Sequence, residues 1–259
     1  MKFSQRPDFI PQAIEGRPLD FKWEGSREHI GPTETVTPLM ERIWNTTTCG
    51  QWTLNAGLLL WAGHRLKGHI DVAHFFQLAE AMFAGQVDWR YVDRERGPKG
   101  KAPDQPPELS ASMRLISFAR ASIDREEYWD NYYQPVKETF HSAHIVRHIL
   151  PADVRKSFEA WLDVVAARVQ TVAAKPDEPF RKKKEFAKIE EYFEMCARHR
   201  GTALPPQVLD PQFAYDDGQR NQLVGKFLSE LNWEANLYLR SPDEMRALGF
   251  AGTPYQLAA

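Results

Sequence analysis

The chain is predicted to be all-α: a single-domain orthogonal bundle of about eight to nine helices with an irregular N-terminal arm. Three observations carry this. Apolar residues recur at spacings of three and four through most of the 259 residues. The segments that keep this period are bounded by helix start and stop residues, such as Gly68, Asp71 and Pro151. No convincing hairpin signature occurs, and no repeat at a fixed period points to a solenoid.

Residues 1–32 form the arm, because Pro7, Pro11, Pro18 and Pro32 interrupt any long helix there. Phe9, Ile10, Leu19, Phe21 and Trp23 are too apolar for a free tail and are expected to pin the arm onto the helical domain, residues 33–259. A first helix is expected over 35–46, with Leu39, Met40, Ile43 and Trp44 on one side. The next, over 50–67, is apolar almost all round, from Trp52 through Leu58, Leu59, Leu60 and Trp61 to Leu66. That pattern marks a central helix with partners on several sides. Its small residues, Ala56, Gly57, Ala62 and Gly63, let neighbours come close. Gly68 offers a C-cap and Asp71 an N-cap for a helix over 72–85 that Gly85 ends. Together these two make an αα-hairpin.

Asp88 to Asp93 alternates polar and apolar residues and reads as a short extended piece rather than a frayed turn. Residues 94–107, rich in Pro, Gly and charge, are the clearest loop and the only plausible domain boundary. Helix resumes after Ser110. Asp124 and Glu127 make a near capping box for an aromatic helix with Tyr128, Trp129, Tyr132 and Tyr133, and Pro135 kinks it or starts a new one. Further helices are expected over 136–150, 152–174, 178–199 and 218–240, the last with Val224, Phe227, Leu231, Ala235 and Tyr238 as one seam. Ser241-Pro-Asp-Glu244 starts a short final helix that ends near Gly249.

Composition narrows function mainly by exclusion. A formal net charge of −2 and a pI near 6.5 remove the electrostatic argument for nucleic acid, so no nucleic-acid partner is expected. Two cysteines, Cys49 and Cys196, lie far apart and outside any CxxC, which argues against a disulfide framework or a zinc ribbon. The N-terminus lacks the apolar run of a signal peptide, and no apolar run approaches the ~20 residues that span a bilayer. A cytoplasmic protein without a membrane partner is expected. GxSxG, GxGxxG, the Walker loop and HExxH are all absent.

The most informative stretch is Glu138 to His148. His141, His144 and His148 fall within an arc of roughly 60° on a helix. With Glu138 they offer a candidate metal half-site for Fe, Mn or Zn, because Glu-x-x-His is the spacing of di-iron bundles. Those bundles need a second such motif, which this chain does not repeat. The stripe also borders the apolar arc of Val136, Phe140, Ala143, Val146 and Leu150, as a partly exposed polar face would. His64, His69 and His74 form a second cluster around the hairpin turn, and convergence of the two clusters would make a multi-helix metal site.

Other features carry less. Glu190, Glu191 and Glu194, and the pair Glu230 and Glu234, sit at helical neighbour spacing and suit solvent or a divalent cation. The basic run Arg181 to Lys184 with Lys188 is a solvated patch or a surface for an acidic partner. Cys49 precedes a helix that could activate it, or is an inert buried thiol. The expectation is a soluble helical protein without catalysis that binds another macromolecule, an adaptor or immunity-type protein, with a protein partner. A helical metalloenzyme using the His/Glu site is the alternative. A structural subunit that forms homo-oligomers is a third reading.

Overall fold

The computed structural model describes residues 2–24, 29–32, 35–97, 106–124, 135–252 and 255–257. Nine α-helices occur among them: α1 Pro38–Trp44, α2 Thr48–Leu66, α3 Ala73–Val87, α4 Pro107–Asp124, α5 Val136–Ile149, α6 Ala152–Val172, α7 Ile189–Arg200, α8 Arg220–Glu230 and α9 Pro242–Ala247. The all-α expectation holds.

Helix α2 is the axis of the fold. Every residue from Thr48 to Leu66 is buried, which follows from an apolar surface that leaves no side for water. It packs on α3, α4, α5 and α6 at once. Gly57 makes a close approach: a Cβ there would lie 2.8 Å from the Trp161 ring and 2.9 Å from Leu209. Thr47 caps the helix, its side chain accepting from the Gly50 N–H. Several polar groups of α2 find partners inside the core. The Trp52 indole donates to the Ser122 carbonyl, Asn55 to the Ser122 hydroxyl, and Gln86 of α3 to Thr53.

Residues 2–24 of the arm are irregular, as the prolines require, with one 3-10 turn at Gln12–Ile14. They nevertheless enter the main core. Phe3, Ile10 and Ile14 have no exposed surface, Phe9 stacks on Trp161 at 5.6 Å between ring centroids, and Leu19, Phe21 and Trp23 pack against the core from its edge.

Several boundaries differ from the sequence reading. Helix α1 starts at Pro38, because Thr37 caps it by accepting the Met40 N–H. Helix α3 continues through Gly85 to Val87, the glycine leaving room for Val92 and Trp52. The Asp88–Asp93 piece is a 3-10 turn, Trp89–Tyr91, capped by Asp88 rather than extended. Helix α4 begins already at Pro107, a residue preorganised for a first helical position. Pro135 stands just before α5 and starts a new helix. The aromatic segment with Tyr128, Trp129, Tyr132 and Tyr133, and the middle of the 94–107 loop, lie outside the described residues.

The expected helix over 178–199 is shortened to α7. Pro176 and Pro179 hold its first part open, and a 3-10 turn at Lys183–Glu185 is all that forms there. The expected helix over 218–240 stops at Glu230. Beyond it, Asn232 accepts from the Ala235 N–H and Asn236 from the Tyr238 N–H, so side chains take over the bonds a helix would need. Asn236 also donates to the Gln77 carbonyl and to Glu80 on α3, which fixes the segment in its non-helical path. Ser241 and Glu244 form the expected reciprocal capping box of α9. The tail adds a feature the sequence did not signal, a two-stranded antiparallel ribbon of β1, Phe250–Ala251, and β2, Gln256–Leu257.

Candidate functional site

The His face of α5 is covered by the second half of the arm. His141 Nδ1 lies 2.6 Å from the Ile30 carbonyl and donates to it. His148 Nε2 lies 2.6 Å from the Lys22 carbonyl. His144 sits between them against Gly31, where a Cβ would come within 2.6 Å of the imidazole. Gly31 has φ +76°, so glycine is required there both by conformation and by contact. The ring of His29 stacks on His148 at 3.8 Å and 21°, with Trp23 5.0 Å from His29 and Phe21 5.7 Å from His148. Burial is the largest influence on His141, His144 and His148 and holds each pKa below the ordinary histidine value.

The second histidine cluster meets the first half of the same arm. His64 is fully buried, with Nδ1 2.8 Å from the Glu15 carboxylate and Nε2 3.1 Å from the Phe3 carbonyl. Burial pulls its pKa down against the opposite pull of those two acceptors. His69 Nε2 reaches the Arg17 carbonyl at 2.9 Å. Arg65, also fully buried, donates to the carbonyls of Ile149, Arg17 and Pro18 at 2.7–2.9 Å. The two clusters therefore share the arm as their target. His74 turns elsewhere, 3.2 Å from the Tyr238 hydroxyl.

This arrangement has a simple physical origin. An irregular segment cannot satisfy its own carbonyls, and buried carbonyls need donors. Histidine and arginine at the end of α2 and along α5 supply them. Glu138, His141, His144 and His148 all lie on α5. Among the described residues, however, no group of three or more His, Cys, Asp or Glu is placed to hold a metal ion.

The remaining sequence candidates do not join this site. Cys49 is buried, its Sγ 3.6 Å from the Gly201 carbonyl, and Cys196 is buried in a separate cluster where burial raises its thiol pKa. Glu190, Glu191 and Glu194 face solvent on α7. Glu230 pairs with Lys226 at the end of α8, and Glu234 lies beyond the helix. The basic run lies on the surface before α7, where the Lys182 N–H donates to Glu185.

What sequence reasoning missed adjoins the His face. A cleft of about 280 Å³ opens between α1, α5 and α6. Its apolar lining comes from Leu39, Ala143, Phe158 and Leu162, and His144, Arg147, Glu159 and Asp163 complete it. Arg147 pairs with Glu159, and Arg42 on α1 pairs with Asp163. The charges around the opening are thus paired with one another. The three most exposed large apolar side chains among the described residues, Val36 (69%), Trp44 (53%) and Val164 (50%), belong to α1, its lead-in and α6. Lys175 lies over the Trp44 ring at 4.2 Å. No signal at the level of one sequence marks the cleft, because its walls come from three helices whose apolar residues read simply as core.

No helix among the described residues is long and apolar enough to cross a membrane. No family model, curated protein or solved structure matches the chain.

Proposed function

We propose that the protein acts by binding another protein, in the manner of an adaptor or an immunity-type protein, and that the cleft between α1, α5 and α6 receives the partner. The cleft itself carries the reading. Its volume suits one large apolar side chain, and a buried aromatic or aliphatic anchor is what dominates most protein interfaces. The ion pairs Arg147–Glu159 and Arg42–Asp163 leave the rim without a dominant sign, so the favoured partner segment offers an apolar anchor within a mixed polar surround. The exposed Val36, Trp44 and Val164 on the elements that wall the cleft support the same face, since exposed apolar surface concentrated on one set of elements marks interaction sites.

The test compares full-length protein with Leu39→Glu, which places a carboxylate in the apolar lining. A Phe193→Ala variant, altered on the exposed side of α7, serves as control. A binding partner isolated from the native source and then purified should bind the wild-type and control proteins alike and lose at least tenfold in affinity for Leu39→Glu, about 1.4 kcal/mol. Equal affinity for all three folded proteins would remove the cleft as the binding site.

A further inference from the structure

The basic run before α7 stands on a lobe with a small core of its own, Tyr192, Met195 and Cys196, edged by Phe180 and Phe186. We infer that this lobe is a second docking surface, separate from the cleft and open to a different partner. Its occupant is a protein segment that carries acidic residues at one end and apolar residues after them.

The chain holds the run in place. The Lys182 N–H donates to the Glu185 carboxylate at 3.0 Å, beside the 3-10 turn Lys183–Glu185. The Arg181 N–H donates to the Met195 sulfur at 3.3 Å, and the Arg181 guanidinium lies 4.1 Å over the Phe186 ring. Arg181, Lys182, Lys183, Lys184 and Lys188 are nonetheless all exposed. Lys182, Lys184 and Lys188 make no ion pair among the described residues. The turn fixes where these charges stand, so less ordering is left for a partner to impose.

Apolar surface continues from the basic turn. Phe186 meets Tyr192 at 5.7 Å between ring centroids, and Tyr192 meets Phe193 at 5.8 Å. Ile189 and Phe193, 38% and 40% exposed, stand one turn apart on the same side of α7. Lys188 directly precedes them. Large apolar side chains left open beside charge are a mark of interaction sites.

The pattern of sign selects the occupant. Glu190, Glu191 and Glu194 are exposed on α7 as well, about 100–200° around the helix from Ile189. An anionic membrane or a nucleic acid presents one sign across the whole contact, and sets it against these carboxylates as well as the lysines. A protein segment places charge residue by residue. Acidic side chains meet Lys182, Lys184 and Lys188, apolar ones cover Ile189 and Phe193, and no acid follows to meet the glutamates.

The experiment uses the full-length protein and a dye-labelled synthetic peptide of four glutamates followed by leucine, two glycines and phenylalanine. The reversed order is a second probe, and binding is read by fluorescence anisotropy. One of the two peptides should bind saturably. Lys182→Glu with Lys184→Glu should weaken it about tenfold or more, since attraction becomes repulsion. Salt near 1 M, where the Debye length is about 3 Å, should weaken it too. Phe193→Ala should also lower the affinity, while Leu39→Glu in the cleft leaves it unchanged. Failure of both peptides to bind would overturn the inference. So would equal affinity in the double reversal or in Phe193→Ala, each shown folded by circular dichroism, or loss of binding in Leu39→Glu. Tighter binding of phosphatidylserine vesicles or of oligothymidine than of the peptide would overturn it in favour of a lipid or a nucleic acid.

Discussion

The arm and the α7 segment invert the usual relation between regularity and depth. Residues 2–24 of the arm have a single 3-10 turn, yet Phe3, Ile10 and Ile14 are completely buried in the main core. Helix α7 is a regular helix of 12 residues, yet its buried apolar side chains, Tyr192, Met195 and Cys196, form a small separate cluster edged by Phe180 and Phe186, with His199 buried beside them. Ile189 and Phe193 stay exposed on it. Backbone regularity therefore does not decide depth. Depth is decided by where the apolar anchors land and by whether other parts of the chain satisfy the backbone groups that go in with them. The arm has that help from His64, Arg65, His141 and His148. Helix α7 satisfies its own backbone and needs no such help, so nothing draws it inward.

Substitutions can break or sharpen this contrast. The largest effect is expected at Phe3, which packs against Phe83 and Phe227. Phe3→Ala should cost about 3–5 kcal/mol in denaturant unfolding, in the same class as Leu59→Ala in α2 at about 2–5 kcal/mol. A Phe3→Ala cost near zero would make the arm a peripheral ornament. Arg65→Leu comes next. It strips donors from three carbonyls, Ile149, Arg17 and Pro18, and leaving one buried acceptor unpaired costs about 1–3 kcal/mol. A loss in that range is expected, with the arm loosened more than α3 in hydrogen exchange.

Ser241→Ala removes the cap of α9, whose Glu244 also reaches Arg96. It should lower stability by about 0.5–2 kcal/mol. No change in the thermal midpoint would show α9 to be uncoupled from the main transition. The smallest effect is expected on the shallow side. Phe193→Ala should change stability by about 0.5 kcal/mol or less, as surface substitutions do. A loss comparable to that of Phe3→Ala would erase the distinction between the two regions.

How much of this was legible in the sequence depended on the kind of signal. Helix α2 was readable because apolar residues on every side admit one explanation, a buried helix. Ser241 and Glu244 were readable because a capping box is local chemistry. The stretch after Glu230 misled because its apolar spacing continues past the helix, while Asn232 and Asn236 redirect the backbone through bonds that depend on α3. The histidines and their common face are legible in the spacing. Their target is not, because a main-chain carbonyl has no residue type to recognise. The cleft stayed invisible for a related reason: Leu39, Ala143 and Leu162 belong to three helices, and nothing in one helix's period reveals a gap left between three.

Native-state hydrogen exchange tests the central claim most directly. The Ile10 and Ile14 amides donate to the Pro7 and Pro11 carbonyls in the arm. If the arm belongs to the main core, these amides open only with the whole molecule, at the free energy of the α2 amides, while those of Tyr192 to Cys196 in α7 exchange through a cheaper local opening. Ile10 and Ile14 exchanging before α7 would contradict the account.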